Sequence, residues 1–407
     1  MIRRVAYLSM HTSPLLQPGT GDAGGMNVYI DELAQTMASR GVKVEVFTRS
    51  DRPDLPTLVK VADGYRVAHV EAGPARQLPV TRLPRHVLAF ARAVADRMED
   101  ADPPFDLVHS HYWLSGWAGL VIKRTRGIPL ANSFHTLGRI KELTKRRGEP
   151  PESLLRIAAE QEVIEGSDCL VASTPAEGED LMEHYGADPH RLCISPPGVD
   201  HEVFHPGPQA GARRALGLGD GPLVLFVGRV QALKGVDVAI EAFAVVRDKH
   251  PEARMLVVGG PSGPEGEEEQ SGLQARAAAL ELGEAVRFLP PIPHGRLADV
   301  YRAADVLVFP SRSESFGLVA AEAQACGLPV VASRVGGLVY AVDHVSSGFL
   351  ISGWRPDDYA EAMVELLDDP VLAAEMSRAA VDHAERFSWD ATADRFLELY
   401  AGVLGRG

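Results

Sequence analysis

Two cations near the middle of the chain have the spacing of a phosphate site. Arg229 ends the segment Phe226–Arg229, whose apolar run is typical of a buried strand, and Lys234 stands before Gly235 at the start of an amphipathic stretch. A helix that begins there would point unpaired backbone N–H groups at the same place as the two side chains. Two cations and several amides can hold a pyrophosphate. Taken alone, the pair has a less favoured alternative, two solvated loop side chains.

Two carboxylates follow further along the chain, in the segment that contains Glu314, Gly317 and Glu322. Glu314 lies in the loop before a predicted helix, and Glu322 lies about two turns further on. Carboxylates accept hydrogen bonds from vicinal hydroxyls, so one could hold a ribose and the other a transferred sugar. Such a pair is common on exposed helices. Together with the two cations, the carboxylate pair predicts a site for a nucleotide diphosphate and a sugar.

A glycine-rich segment precedes the first predicted helix, Asn27–Ser39. Residues Gly19–Gly24 formally match the dinucleotide pattern GxGxxG, but His11 to Pro18 separate them from the first strand. In a dinucleotide site the glycines follow the strand almost at once. The context therefore disfavours a nicotinamide or flavin cofactor. We expect instead that Gly24 and Gly25 let the backbone touch a phosphate at the start of the helix.

Several histidines end the predicted strands of the first half: His109, His111 and His135, with His11 after the first strand. Four histidines invite a metal hypothesis, yet no HxxxH or carboxylate-histidine spacing fits a metal site. For each of them a structural hydrogen bond is the favoured role. We predict no metal site.

One basic run stands out, formed by Arg139, Lys141, Lys145, Arg146 and Arg147. We consider three interpretations, in decreasing order of preference: a solvated loop, a site for a phosphate-bearing acceptor and a membrane-surface patch. The whole chain has a formal charge of −14. That charge argues against nucleic acid or an anionic membrane as a general partner, because such partners require a basic surface.

The composition indicates a globular enzyme of a reducing compartment. The chain has 407 residues, enough for two domains, and its three cysteines contain no CxxC pair. The first residues look like a strand without a cleavage site, and no apolar stretch has the length of a membrane span. We therefore expect a cytoplasmic protein. The oligomeric state stays open, with a homodimer as one alternative.

The elements that would position these residues form a strand-helix rhythm that occurs twice. It predicts an α/β protein of two Rossmann-like, doubly wound domains with a cleft between them. The proline-rich stretch around Pro206 separates them, which gives domains at residues 1–205 and 206–388. A last helix, 389–404, is expected to pack back onto the first domain. The predicted strands of the two domains are Val5–Met10, Val42–Thr48, Leu107–His109, Leu130–Phe134, Cys169–Ala172 and Arg191–Ser195, then Leu223–Val227, Met255–Val258, Val286–Leu289, Val306–Phe309 and Val330–Ala332.

These motifs together resemble the retaining glycosyltransferases of the GT-B fold that carry a Glu-x7-Glu motif, over nearly the whole chain. Within that family the segments Met10–Pro14, Gln17–Tyr29, His109–Gly116 and Gly259–Gly263 are most similar to the branch that moves N-acetylglucosamine onto inositol phosphate at the start of mycothiol synthesis. Sucrose-phosphate synthases look like more distant relatives. The resemblance implies a UDP-linked sugar donor, a small polar acceptor, retention of configuration, and no cofactor or metal.

The resemblance also implies roles for individual residues. Arg229 and Lys234, with the Gly25 amide, would bind the donor diphosphate, and Glu322 would bind the ribose. The sugar would be held by Glu314 and by the backbone of Phe316, Gly317 and Leu318, with His135 beside it. Of this donor site, Arg229, Lys234, His135 and Glu314 would be the catalytic residues.

The implied acceptor site departs from the family pattern at one position. Tyr112, Thr136 and Arg156 match the residues that grip the acceptor phosphate, but Val80 stands where a lysine is expected. Arg82 or Arg76 would have to substitute for it. The expected acceptor site is completed by Asn27 and Lys141.

Three alternatives remain beside transfer to inositol phosphate. A paralogue of secondary metabolism would glycosylate another cyclitol, a sugar or a small thiol, without the phosphate contact. A phosphorylase of similar fold would need a lysine bound to pyridoxal phosphate. A nucleotide-sugar sensor would keep Arg229 and Glu322 without turnover.

Overall fold

A computed structural model describes residues 2–145, 151–263 and 266–405 and contains two sheets flanked by helices. Each sheet has its own buried apolar layers on both faces. The expected α/β architecture of two Rossmann-like units is confirmed. Arg146 and Arg147 of the basic run lie outside the described residues.

The first sheet is formed by the strands β1 (Arg4–Leu8), β2 (Lys43–Arg49), β3 (Leu58–Ala62), β4 (Tyr65–Val70), β5 (Leu107–His111), β6 (Leu130–Ser133), β7 (Cys169–Ala172) and β8 (Leu192–Ile194). The second is formed by β9 (Leu223–Val227), β10 (Arg254–Val258), β11 (Val286–Leu289), β12 (Val306–Phe309), β13 (Val330–Ser333) and β14 (Gly348–Ile351).

The helices of the first half are α1 (Gly25–Ser39), α2 (Val87–Glu99), α3 (Trp113–Arg126), α4 (Gly138–Thr144), α5 (Leu154–Gly166) and α6 (Pro175–Tyr185). Those of the second half are α7 (Gln209–Ala215), α8 (Val236–Lys249), α9 (Gly266–Ala279), α10 (Leu297–Ala303), α11 (Leu318–Ala325), α12 (Leu338–Ala341), α13 (Pro356–Asp368), α14 (Pro370–Ala384) and α15 (Trp389–Leu404). Short 3₁₀ turns occupy Val80–His86, Pro189–Arg191, Ala232–Lys234, Gly283–Ala285 and His294–Arg296.

The strand order explains where a ligand would bind. The first sheet runs β3-β4-β2-β1-β5-β6-β7-β8, with β3 antiparallel to β4, and the second runs β11-β10-β9-β12-β13-β14, all parallel. The order reverses direction between β1 and β5 and between β9 and β12. Ligands of such sheets bind in the crevice beyond the carboxyl ends of the strands at these points. The segments after β1, β5, β9 and β12 carry most of the residues singled out from the sequence.

The predicted strands are present within one or two residues at most of their ends, while β3, β4 and β14 were not predicted. Strands such as β9 are buried along their whole length and read as continuous apolar runs. The edge strand β3 alternates between exposed and half-buried residues around Lys60. Four of its five residues are apolar, yet none of them is fully buried, because the strand lies at the edge of the sheet and pairs on one side only.

The chain crosses from one domain to the other twice, near Gly198 and near Trp389, and these two crossing segments touch. At Gly198 a Cβ atom would lie 2.1 Å from the backbone nitrogen of Trp389, so only glycine fits there. The Val199 amide donates a hydrogen bond to the Phe387 carbonyl, 3.2 Å away. Val199 and Phe204 pack in the core of the second domain. We propose that the domain boundary lies at Gly198, a few residues before the expected position.

Helix α15 follows the second passage and lies on the first domain. Its residues Trp389, Phe396 and Tyr400 are buried in the same apolar cluster as Val5 on β1 and Leu33 on α1. The Ser388 hydroxyl caps the helix by accepting a hydrogen bond from the Ala391 amide. In the sequence, the second domain therefore lies between two segments that belong to the core of the first domain.

Candidate active site

A cleft of about 240 Å³ lies between the domains at the carboxyl ends of both sheets. Most of the residues predicted to bind a donor meet there: Gly25 and His135 from the first domain, and Arg229, Lys234, Glu314, Phe316, Gly317, Leu318 and Glu322 from the second. Thr136 of the expected acceptor group also lines the cleft.

The loop between β1 and α1 forms one rim of the cleft and is held by Asn27. The Asn27 side chain accepts a hydrogen bond from the Gly24 amide and donates to Thr12 Oγ1 (2.8 Å) and to the Ser13 carbonyl (2.7 Å). Asn27 is buried, and both of its N–H groups are used within the loop. It therefore fixes the start of α1, where the Gly25 amide faces the cleft.

Arg229 extends from the end of β9 across to that loop. A Cβ atom on Gly24 would lie 3.2 Å from the Arg229 Nε, so glycine permits this close approach. The Arg229 guanidinium donates to the Ser262 hydroxyl (3.2 Å), which in turn donates to the Gly21 carbonyl (2.8 Å). Burial lowers the pKa of the guanidinium, which nevertheless remains protonated at neutral pH. A buried cation thus stands beside the start of α1.

Lys234 pairs with one of the two predicted carboxylates. Its ammonium contacts Oε1 of Glu314, and the Ser311 hydroxyl donates to the same oxygen at 2.9 Å. Gly235 turns the chain into α8 with φ at +68°, where a Cβ atom would lie 2.1 Å from the Pro310 carbonyl oxygen. The glycine after the lysine is therefore a steric requirement of the site.

Glu322 lies on α11, a helix that is buried along most of its length. Gly317 precedes that helix with φ at +101°, in the region that glycine tolerates best. The Glu322 carboxylate accepts hydrogen bonds from His294 Nε2 (2.7 Å) and from the Tyr301 hydroxyl (3.0 Å). Neither of these partners was found from the sequence, because no spacing pattern links them to Glu322.

His135 lies in the cleft with a strained backbone and one histidine partner. Its φ is +60°, and its Nε2 lies 3.0 Å from Nδ1 of His111. Burial lowers the pKa of His135 to about 3 and lowers that of His111 well below its ordinary value. The pair is therefore neutral at neutral pH, and one imidazole donates to the other.

The expected acceptor residues Tyr112, Thr136 and Arg156 are brought together. Arg156 donates to the Thr136 hydroxyl and carbonyl, both at 3.1 Å, and its guanidinium lies 5.3 Å from the centre of the Tyr112 ring. Tyr112 has φ +76° and ψ +158°, a conformation that is nearly restricted to glycine. Strain at Tyr112 and at His135 costs about 1–3 kcal/mol each, and such strain clusters at functional sites.

Two carboxylates neutralise the cations of this group. Arg156 pairs with Glu160 (2.7 Å) and with Glu152 (3.3 Å), and Lys141 pairs with Glu152 at 3.1 Å. Burial alone would raise the pKa of Glu152, but the charges of Arg156 and Lys141 outweigh it and lower the pKa. The group is therefore close to neutral overall.

The candidates to replace the expected lysine are exposed at the surface. Val80 begins a 3₁₀ turn and packs against the apolar core of the first domain. Arg82 on that turn and Arg76 before it are both exposed. Within the described part of the chain neither side chain makes a hydrogen bond or an ion pair.

The two domains also touch across the cleft. The Ser315 hydroxyl donates to the His135 carbonyl, and the Thr174 hydroxyl donates to the Ser315 carbonyl at 3.2 Å. On the other rim Gln17 donates to the Ile292 carbonyl at 2.8 Å. These contacts join residues that are distant in the sequence, so spacing alone could not have predicted them.

In residues 2–145, 151–263 and 266–405 no group of three or more histidine, cysteine or acidic side chains could hold a metal ion. No helix in those ranges combines the length and apolar character needed to cross a membrane.

Two family models match the chain, one in each domain. The glycosyl transferase 4-like domain matches residues 24–198, and the model of glycosyl transferases group 1 matches residues 210–383. The solved sucrose-phosphate synthase of Thermosynechococcus elongatus is 30% identical and superposes with a TM-score of 0.92, over 100% of both chains. Fold and site thus define a glycosyltransferase of the GT-B type.

Relatives of known name are closer still. The D-inositol 3-phosphate glycosyltransferase of Acidothermus cellulolyticus is 48% identical over 408 residues, which cover 99% of this chain and 91% of that protein. D-inositol 3-phosphate glycosyltransferase 2 of Catenulispora acidiphila is 49% identical over 406 residues, covering 98% and 95%. The chain belongs to the D-inositol 3-phosphate glycosyltransferase family, which confirms the resemblance inferred from its motifs.

Proposed function

We propose that this chain transfers N-acetylglucosamine from a UDP-linked donor to a hydroxyl of inositol phosphate, with retention of anomeric configuration. The observation that carries the proposal is the meeting of Arg229, Lys234, Glu314 and Glu322 at one cleft, beyond the carboxyl ends of both sheets. The names of its relatives support the acceptor, and the motifs of the sequence support the donor. Its three cysteines, without a CxxC pair, fit a cytoplasmic enzyme.

In this proposal the donor diphosphate lies between Arg229, Lys234 and the Gly25 amide. Two cations and the start of a helix compensate the charge of a pyrophosphate. Lys234 would exchange its contact with Glu314 for one with phosphate, which frees the Glu314 carboxylate for the hydroxyls of the sugar. Glu322 would accept the ribose hydroxyls.

The backbone amides of Phe316, Gly317 and Leu318 lie at the start of α11 and complete the sugar site. His135 would lie beside the reacting sugar, where its neutral imidazole adds no positive charge. The acceptor would be placed by Tyr112, Thr136 and Arg156, with Lys141 at the edge of that group.

The reaction proposed is a front-face substitution. The acceptor hydroxyl attacks the anomeric carbon from the side on which the diphosphate leaves, and a departing phosphate oxygen takes the hydroxyl proton. Arg229, Lys234 and the helix starts stabilise the charge that develops on the leaving group. With two fixed cations in this role, we propose that the reaction requires no metal ion.

One observation favours a second candidate, a paralogue whose acceptor has no phosphate. Val80 stands where the family pattern has a lysine, and the cations Lys141 and Arg156 are already paired with Glu152 and Glu160. Loss of one charge-assisted contact to phosphate costs roughly 1.5–3 kcal/mol. An uncharged cyclitol, a sugar or a small thiol would not suffer that loss.

The deciding experiment measures nucleoside diphosphate release from a panel of UDP- and GDP-sugars, with inositol phosphate, inositol and small thiols as acceptors. Turnover of UDP-N-acetylglucosamine with inositol phosphate alone establishes the first proposal. Turnover with another pair, and none with inositol phosphate, establishes the paralogue. Absence of release with every pair, in a protein that binds a nucleotide sugar, would overturn both in favour of a sensor.

A further inference from the structure

The carboxylate of Glu322 accepts hydrogen bonds from two side chains that the Glu-x7-Glu motif does not contain. His294 Nε2 lies 2.7 Å from Oε1, and the Tyr301 hydroxyl donates to Oε2 at 3.0 Å. The Glu322 side chain is 5% exposed, whereas that of His294 is 22% exposed and lines the cleft. One donor therefore reaches each oxygen: Tyr301 is buried, and His294 approaches from the wall of the cleft.

A third residue keeps the two donors in place. The Phe204 ring is buried, with its centre 5.1 Å from that of His294 and 6.0 Å from that of Tyr301. Burial lowers the pKa of His294, but the Glu322 charge and hydrogen bond outweigh it and raise the pKa, so the Nε2 proton is retained toward Glu322. The orientation of the carboxylate is thus set before any ligand arrives.

An ionised carboxylate offers about four acceptor positions, and two of them are used by these donors. About one acceptor position therefore remains on each oxygen, enough to accept one hydroxyl apiece. Without His294, the Glu322 side chain would lose the hydrogen bond to Oε1 and could rotate. Its geometry toward a ribose would then no longer be fixed.

We propose that His294 is a positioning residue that aims Glu322 at the 2′- and 3′-hydroxyls of the donor nucleotide, so that the protein distinguishes ribose from 2′-deoxyribose. This inference rests on the proposed nucleotide-sugar donor site. The alternative is that His294 occupies the place of the ribose and competes with the nucleotide. In that case its removal would strengthen nucleotide binding.

The test is calorimetric binding of UDP and of 2′-deoxy-UDP to the full chain and three variants. The wild type is expected to prefer UDP by about tenfold or more, the value of a hydrogen bond to a charged group. In His294→Leu the preference should fall to about threefold or less, mainly through weaker UDP binding. His294→Gln should keep most of it, because its amide N–H can reach the position of Nε2.

His205→Leu serves as the matched control, since His205 is exposed outside the cleft. It should leave both affinities unchanged, and equal melting temperatures would show that the variants fold. A loss of affinity in His294→Leu that is equal for both nucleotides indicates a structural role only and overturns the inference. So does tighter UDP binding by this variant. Failure of the wild type to bind any nucleoside diphosphate would instead overturn the proposed function, and this inference with it.

Discussion

The hydroxyl of Ser315, which lies in the second domain just after Glu314, donates a hydrogen bond to the main-chain carbonyl of His135 in the first domain. This bond ties the loop that would hold the sugar to the residue expected beside it. The backbone of His135 is strained, with φ at +60°, and the contact helps to hold it. The two halves of the proposed site are therefore joined at the place where the reaction would occur.

Ser315→Ala should weaken substrate use without unfolding the protein. One hydrogen bond contributes about 0.5–1.5 kcal/mol, so we expect the KM for the donor to rise by about two- to tenfold. Steady-state kinetics measure this change. Ser313→Ala is the control, because Ser313 makes no side-chain hydrogen bond within the described residues; equal kinetics for the two variants would contradict a role for the cross-domain bond.

Lys234→Ala should lower kcat by about two orders of magnitude or more, as expected when a contact to charge developing in a transition state is lost. Nucleoside diphosphate release with both substrates saturating gives the value. Lys249→Ala removes an exposed lysine from the last turn of α8, the helix that follows Lys234, and should leave kcat unchanged. A normal kcat in Lys234→Ala would remove the lysine from the mechanism.

Glu152→Gln should improve the use of a phosphate-bearing acceptor. The carboxylate of Glu152 now pairs with Lys141 and Arg156, and its removal would leave Lys141 available to phosphate while Arg156 keeps its pair with Glu160. We expect the KM for inositol phosphate to fall a few-fold, which corresponds to roughly 0.5–1 kcal/mol. The KM for inositol should not change. A parallel change for both acceptors would indicate an effect other than phosphate recognition.

Glu177 should make the stability of the protein depend on pH. Burial raises its pKa from the ordinary 4.5 to about 7. Between these values the unfolded chain is ionised while the folded chain keeps its proton, so this group stabilises the fold at low pH and loses that contribution as pH rises. From pH 4.5 to pH 8 the wild type should lose up to about 3 kcal/mol through this group, a loss absent in Glu177→Gln.

Urea unfolding of the wild type and Glu177→Gln at both pH values measures that difference. Glu179→Gln, which changes an exposed carboxylate on the same helix α6, should follow the wild type at both. If the difference between Glu177→Gln and the wild type were the same at the two pH values, the buried carboxyl group would not titrate as expected.

The parallel strands and the glycines of the site could be predicted from the sequence, because each depends on residues that are neighbours along the chain. Strands covered on both faces leave continuous apolar runs, as in β9 and β12, and Gly235 and Gly317 mark turns that other residues would strain. The edge strands β3 and β14 were not predicted although most of their residues are apolar, and neither is buried along its whole length.

The partners of the site residues could not be predicted, because they come from distant parts of the chain. Ser315 and His135 are 180 positions apart, and His294 and Glu322 are 28 apart. No periodicity records such pairs. The ion pair of Lys141 with Glu152 likewise depends on tertiary packing, whereas Glu152 and Arg156 are only four positions apart, a spacing that the sequence does show.

The two chain passages at Gly198 and Trp389 act mechanically like the paired leaves of a door hinge. One polypeptide segment alone could bend and twist in any direction, whereas two segments in contact at Gly198 and Trp389 should resist torsion. We therefore expect any opening of the cleft to follow mainly one bending axis, and the substrates and products of the proposed reaction to pass through the gap that this bending creates.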